Sequence, residues 1–76
     1  MNWHDRVTVN PKVLVGKPVI AGTRIAVELL IDLLAEGWSH EQILANYPQL
    51  KEEDIRAALA YAAEMMKDQR VYPLPA

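Results

Sequence analysis

Two hydrophobic periods divide the chain near residue 25. Before it, Arg6-Val7-Thr8-Val9 alternates polar and apolar, the period of two that suits a half-buried strand. Asn10-Pro11 punctuates, Val13-Leu14-Val15 is a short apolar run, and Gly16-Lys17-Pro18 breaks it. Val19-Ile20 is β-branched and leads to Ala21-Gly22-Thr23. This pattern predicts small strands near residues 5–9 and 18–21, with Gly22 in a backbone conformation that a side chain would penalise. Such a ribbon is unstable by itself in water and needs helices to pack on.

From Ile25 the period lengthens to about 3.6. Helix one is predicted over residues 26–36, stopped by Gly37, a residue favoured just past a helix end. At about 100° per residue, Leu29, Leu33, Leu30, Leu34, Val27 and Ile31 occupy an arc of roughly 200°, about twice what a helix covered on one side needs. Glu28, Asp32 and Glu36 fill the narrow polar remainder. The pattern therefore predicts a homodimer with Leu29, Leu30, Leu33 and Leu34 at its interface. Ser39-His40-Glu41-Gln42 has the form of a capping box and opens helix two, with Ile43 and Leu44 as anchors and an end near Asn46 ahead of Tyr47-Pro48. Helix three is predicted over about 51–67, with an apolar stripe of Ile55, Ala58, Leu59, Ala62 and Met66, while Ala57, Ala60 and Ala63 lie elsewhere. Glu52, Glu53 and Asp54 complement the helix dipole at its start, and Lys67 and Arg70 at its end.

The expected architecture is mainly α: one domain over residues 1–76, with a β element and turns in 1–25, three helices in 26–67 and an extended tail in 68–76. A chain of 76 residues supplies only a small core, so oligomerisation is the remaining staple. With no cysteine, a disulfide framework and Cys-ligated metal sites are excluded. No apolar run reaches the length of a membrane span and no leader pattern is visible, so a soluble cytoplasmic protein is expected.

Charge changes the picture further. Residues 1–24 carry Arg6, Lys12, Lys17 and Arg24 against Asp5, an excess of three positive charges. Residues 25–76 carry four bases against nine acids, an excess of five negative charges. A two-sided electrostatic surface would follow, although chains with so few charges reach such an excess by chance as well. Catalysis finds little support. His4 and His40 lack ligand spacing, Ser39 is explained as a cap, and the acidic triplet as a dipole complement. No cofactor or metal is expected. Helix two, a short connection and helix three resemble a helix-turn-helix, a shape that plain packing also produces. The three acids at the start of helix three would repel phosphates, which places any DNA contact on Lys12, Lys17 and Arg24 ahead of Arg56. Arg24 has a second reading, an ion pair with Asp32 or Glu28.

Gly16-Lys17-Pro18-Val19-Ile20-Ala21-Gly22-Thr23-Arg24-Ile25, then Gly37-Trp38-Ser39, Tyr47-Pro48-Gln49-Leu50 and Asp54-Ile55-Arg56-Ala57-Ala58-Leu59-Ala60-Tyr61-Ala62, form a specific string. It resembles the bacterial domain-of-unknown-function family numbered 433 over roughly residues 5–64. Gly16, Pro18, Gly22 and Thr23 match its structural signature, as do Lys17 and Arg24. The resemblance implies a homeodomain-like helical domain with a small N-terminal β element. It also implies a VapB-type antitoxin of a type II toxin–antitoxin pair, which binds a PIN-like ribonuclease toxin and its own operator DNA. The alternatives are a stand-alone DNA-binding regulator and a structural or adaptor homodimer. Lys51 departs from the Thr-like cap usual before the acidic turn, and the tail is short for wrapping a toxin.

Overall fold

In the computed structural model, which describes residues 2–68, strand β1 (Val7–Val9) pairs antiparallel with β2 (Pro18–Ile20). Val7 faces Ile20, Thr8 faces Val19 and Val9 faces Pro18. Helices α1 (Val27–Ala35), α2 (His40–Asn46) and α3 (Glu52–Asp68) follow. The fold is thus mainly helical, three helices with a two-stranded sheet at the N-terminal end. The strands are shorter than the alternation suggested. Arg6 and Val7 both donate their backbone N–H to the Trp3 carbonyl, which curls residues 4–6 into a turn before β1 can begin. The expected tail lies outside the described residues except at its start, where α3 ends at Asp68.

The turn after β2 explains the Gly-Thr pair. The Thr23 N–H donates to the Ile20 carbonyl at 3.0 Å, closing a four-residue turn whose third residue, Gly22, sits at φ +78°. The Thr23 hydroxyl donates to the same carbonyl at 2.8 Å and accepts from the Ile25 N–H at 3.0 Å. These bonds aim the chain from the ribbon into α1, and Val19 forms a further bridge to Ala26.

Helix ends follow their residues. α1 stops in a Schellman arrangement, in which the Gly37 N–H reaches the Leu34 carbonyl and the Trp38 N–H the Leu33 carbonyl, with Gly37 at φ +95°. α2 opens with the full capping box of Ser39 and Gln42. At α3, where Lys51 offers no capping oxygen, Asp54 reaches back instead. Its carboxylate accepts the Lys51 N–H at 2.9 Å, and its own N–H donates to the Lys51 carbonyl.

The core gathers Val7, Ile20, Ile25, Val27, Leu30, Leu33, Ile43, Leu50, Ile55, Ala57 and Ala58. α1 is its axis and touches β2, α2 and α3. This revises two expectations. Leu30 is 0% exposed and Leu33 is buried, both covered by the chain itself, so neither is available to a second copy. Leu29, Ile31 and Leu34 are half-buried and pack against the same core. The wide apolar arc is satisfied mostly from within because the ribbon closes a side that helices alone would leave open. On α3 the buried line is rotated from the expected stripe. Ala57 is fully buried, whereas Leu59 is 41% and Met66 67% exposed. The helix presents Asp54, Ile55, Ala57 and Ala58 inward because a small Ala57 lets its neighbours come close, and because Asp54 is drawn in by an ion pair described below.

Candidate interaction surface

The loop joining the strands is the most unusual part of the backbone. The Asn10 side chain accepts the Lys12 N–H at 2.9 Å, and the Asn10 carbonyl accepts from Val13. A 3-10 turn over Leu14–Gly16 follows, tied by Gly16 N–H to the Val13 carbonyl and Lys17 N–H to the Leu14 carbonyl. Leu14, Val15 and Gly16 lie in succession at φ +49°, +56° and +81°. Glycine adopts such angles freely. For Leu they are strained, and for β-branched Val they are rare. The strain hides no apolar surface. Val15 is 95% exposed, Leu14 39% and, at the adjoining strand end, Val9 57%. Val9 lies on the same face of β1 as buried Val7. The apolar face of the ribbon therefore continues past the core and ends in an uncovered tip.

The basic residues expected to act together divide. The Lys17 Nζ donates to Glu28 Oε1 at 2.6 Å, and that bond and charge raise the Lys17 pKa above its ordinary 10.5. Glu28 is thereby occupied by Lys17 rather than by Arg24. Lys12 and Arg24 are exposed, and neither has a carboxylate within ion-pair distance among the described residues. Arg56 is exposed on α3, its Nε 3.7 Å from Glu52 one turn earlier. Of the signature residues, Gly22 and Thr23 build the turn into α1, Pro18 opens β2, and Gly16 completes the left-handed tip.

The acidic start of α3 does more than face the dipole. Arg6 Nη1 donates to Asp54 at 3.0 Å, and Arg6 Nη2 lies 3.7 Å from Glu53. The Asp54 side chain is nearly buried, and this pair fastens the ribbon to α3. Glu52 meets His40 Nδ1 at 2.7 Å, joining the starts of α2 and α3. All three acids thus have a cationic or imidazole partner. Nothing in the sequence pattern marks Trp3 as a site. Its indole N–H donates to Glu64, its ring stacks on His4 at 3.9 Å and meets Tyr61 edge-on at 4.9 Å. A shallow groove of about 600 Å³ opens there between the N-terminal segment and α3, floored by Ala60 and Ala63 and edged by Lys67.

Among the described residues no group of three or more His, Asp or Glu side chains could hold a metal ion. No described helix is long and apolar enough to cross a membrane. The family model for proteins of unknown function designated DUF433 matches residues 7–62. The uncharacterised protein y4eO of Sinorhizobium fredii is 43% identical over 56 residues, which are 74% of this chain and 25% of that protein. The chain thus spans at most a fraction of that relative's length. A crystal structure of a DUF433 member from Anabaena variabilis superimposes with a TM-score of 0.77 at 33% identity, covering 83% of this chain and 62% of that one.

Proposed function

We propose, on the footing that this chain belongs to the DUF433 family, that it is a non-catalytic protein-binding module whose ribbon tip docks into a partner protein. One observation carries the reading: the apolar tip of Val9, Leu14 and Val15, exposed in water and held in a strained left-handed turn. Burial of such side chains elsewhere in the chain would be favourable, and strain of this kind persists where a surface must be presented. Lys12 beside the tip supplies a charge for recognition. The partner implied by the family resemblance is a PIN-like ribonuclease toxin. The chain then acts in the cytoplasm as the antitoxin of a type II pair. The side chains that would be candidates for catalysis have local duties instead: His4 bonds to Asn2, His40 to Glu52, and Ser39 caps α2.

The test begins with the gene neighbourhood, where the toxin reading expects a PIN-like reading frame, and continues with calorimetric titration of that product. Binding should be lost on Val15→Asp, while the far-ultraviolet spectrum is unchanged. No binding by the native chain, or full binding by that variant, overturns the reading.

A second reading is favoured by Lys12 and Arg24, which are exposed on the ribbon side and have no ion pair among the described residues. The α2–α3 helix-turn-helix pair is the less basic surface, since its start carries Glu52, Glu53 and Asp54. Operator binding would then accompany partner binding. In a titration of upstream DNA at several salt concentrations, Lys12→Ala and Arg24→Ala should each lower the salt slope by about one. Loss of binding on Arg56→Ala alone would move the contact to α3.

A further inference from the structure

The groove between the N-terminal segment and α3 has small side chains on one side and aromatic rings on the other. Ala60 is half-buried and Ala63 exposed, so the floor leaves the α3 backbone within reach of an occupant. Opposite, Trp3 is fixed by its bond to Glu64 and its edge contact with Tyr61, and it stays half-buried with His4 stacked on it and exposed. Lys67 stands at the end of the groove. A narrow apolar channel with an aromatic wall suits a polyproline II segment, which makes no hydrogen bonds of its own.

The sequence supplies such a segment beside the groove. α3 runs to Asp68, one residue past Lys67. Gln69 and Arg70 follow, then Val71-Tyr72-Pro73-Leu74-Pro75-Ala76, outside the described residues. Two prolines at alternate positions favour the extended conformation, and no side chain from Val71 to Ala76 is charged.

We infer that residues 71–75 return antiparallel to α3 and occupy this groove. The lengths agree. From Lys67 back to Ala60, α3 rises about 10 Å. Five residues of polyproline II span about 15 Å. Gln69 and Arg70 provide the reversal, Tyr72 lies over Ala63, and Leu74 lies over Ala60 facing Trp3. Arg70 stays at the mouth in water, so filling the groove desolvates no charge of the segment. So short a connection costs little closure entropy and holds the segment at an effective concentration on the order of millimolar. A separate peptide or a second copy lacks that advantage. The groove is distinct from the ribbon tip, and the inference does not rest on the partner-binding reading.

Nuclear magnetic resonance of the full chain tests this. Backbone order parameters at Val71, Tyr72 and Leu74 should be those of rigid structure, about 0.85. The Leu74 methyl protons should show nuclear Overhauser contacts to Ala60 and to the Trp3 ring. In Leu74→Asp the same order parameters should fall below about 0.6. The Trp3 indole N–H signal should then shift, while signals of Val7, Leu30 and Ile43 stay in place because the substitution lies outside the core. The chain has no cysteine, so an introduced pair also reports position. Under mild oxidation, Ala60→Cys with Leu74→Cys should close within one chain at least ten-fold faster than Ala45→Cys on α2 with Leu74→Cys. Native order parameters below about 0.6 across the segment, or equal rates for the two pairs, overturn the inference. A cross-link that forms only between chains assigns the groove to a second copy's segment and overturns it too.

Discussion

Replacing Val15 by Asn should make the protein more stable. Val15 sits at φ +56°, ψ +39°, the left-handed region, with its side chain 95% exposed. An L-residue there costs about 1–2 kcal/mol, and a β-branched one falls at the upper end. The substitution removes almost no burial, so the usual loss on truncating an apolar residue is absent. Asn tolerates the left-handed region and does not loosen the unfolded chain as Gly does. Val15→Asn should therefore stabilise by ~1 kcal/mol. In a domain of this size that raises Tm by roughly 4–8 °C. Val15→Gly gains the same relief but loses about 0.5–1 kcal/mol to unfolded-chain entropy, so it should fall between Asn and Val. Urea unfolding followed by circular dichroism gives the ranking. The slope with denaturant should not change, because the surface exposed on unfolding is nearly the same. If both variants have lower midpoints than the native chain, the turn is not strained, and the argument that strain is maintained for a partner fails.

Gly22→Val should cost ~1–3 kcal/mol by thermal melting. Backbone strain dominates the cost, because a Cβ at Gly22 meets nothing within 4 Å while φ is +78°. Asp54→Ala should destabilise by about 2–3 kcal/mol, since it strands Arg6 and uncaps the Lys51 N–H; the partial exposure of Arg6 keeps the loss below that of a fully buried pair. Ser39→Ala should cost ~1 kcal/mol in the same assay through loss of the capping box. The bond to Glu28 raises the Lys17 pKa, so its contribution is complete below about 10.5 and is lost as pH rises through the higher folded value. Unfolding of Lys17→Met measured across that alkaline window should show a weaker pH dependence than the native chain.

What was legible in the sequence was local. The Ser39 and Gln42 box, the stop at Gly37 and the break before Pro48 each depend on residues within a few positions, and α2 ends at Asn46 as expected. The two short strands follow from alternation and punctuation in the same way. Features that depend on distant partners were not legible. Arg6 and Asp54 are 48 residues apart, and nothing beside either one announces the other. The rotation of α3 that buries Ala57 and exposes Leu59 depends on which neighbours it packs against, and periodicity cannot report that when alanines dominate. The closure of α1 by the ribbon was missed for a related reason, since helix amphipathicity counts apolar residues but not the strands that cover them. The strained tip was hidden because Leu and Val have no preference for positive φ. Gly16 marked the place, yet the two residues before it carry the strain.

If the ribbon tip presents Val15 to a partner protein, the strain at this residue is retained for binding and not for folding. Calorimetric titration of the PIN-like ribonuclease that the toxin reading expects, with the native chain and with Val15→Asn, separates the two effects, because stability and binding are expected to move in opposite directions. Val15→Asn should melt above the native chain and yet bind that partner about ten-fold more weakly, the loss expected when one buried Val side chain is removed. A variant that is more stable and binds as tightly as the native chain would contradict it.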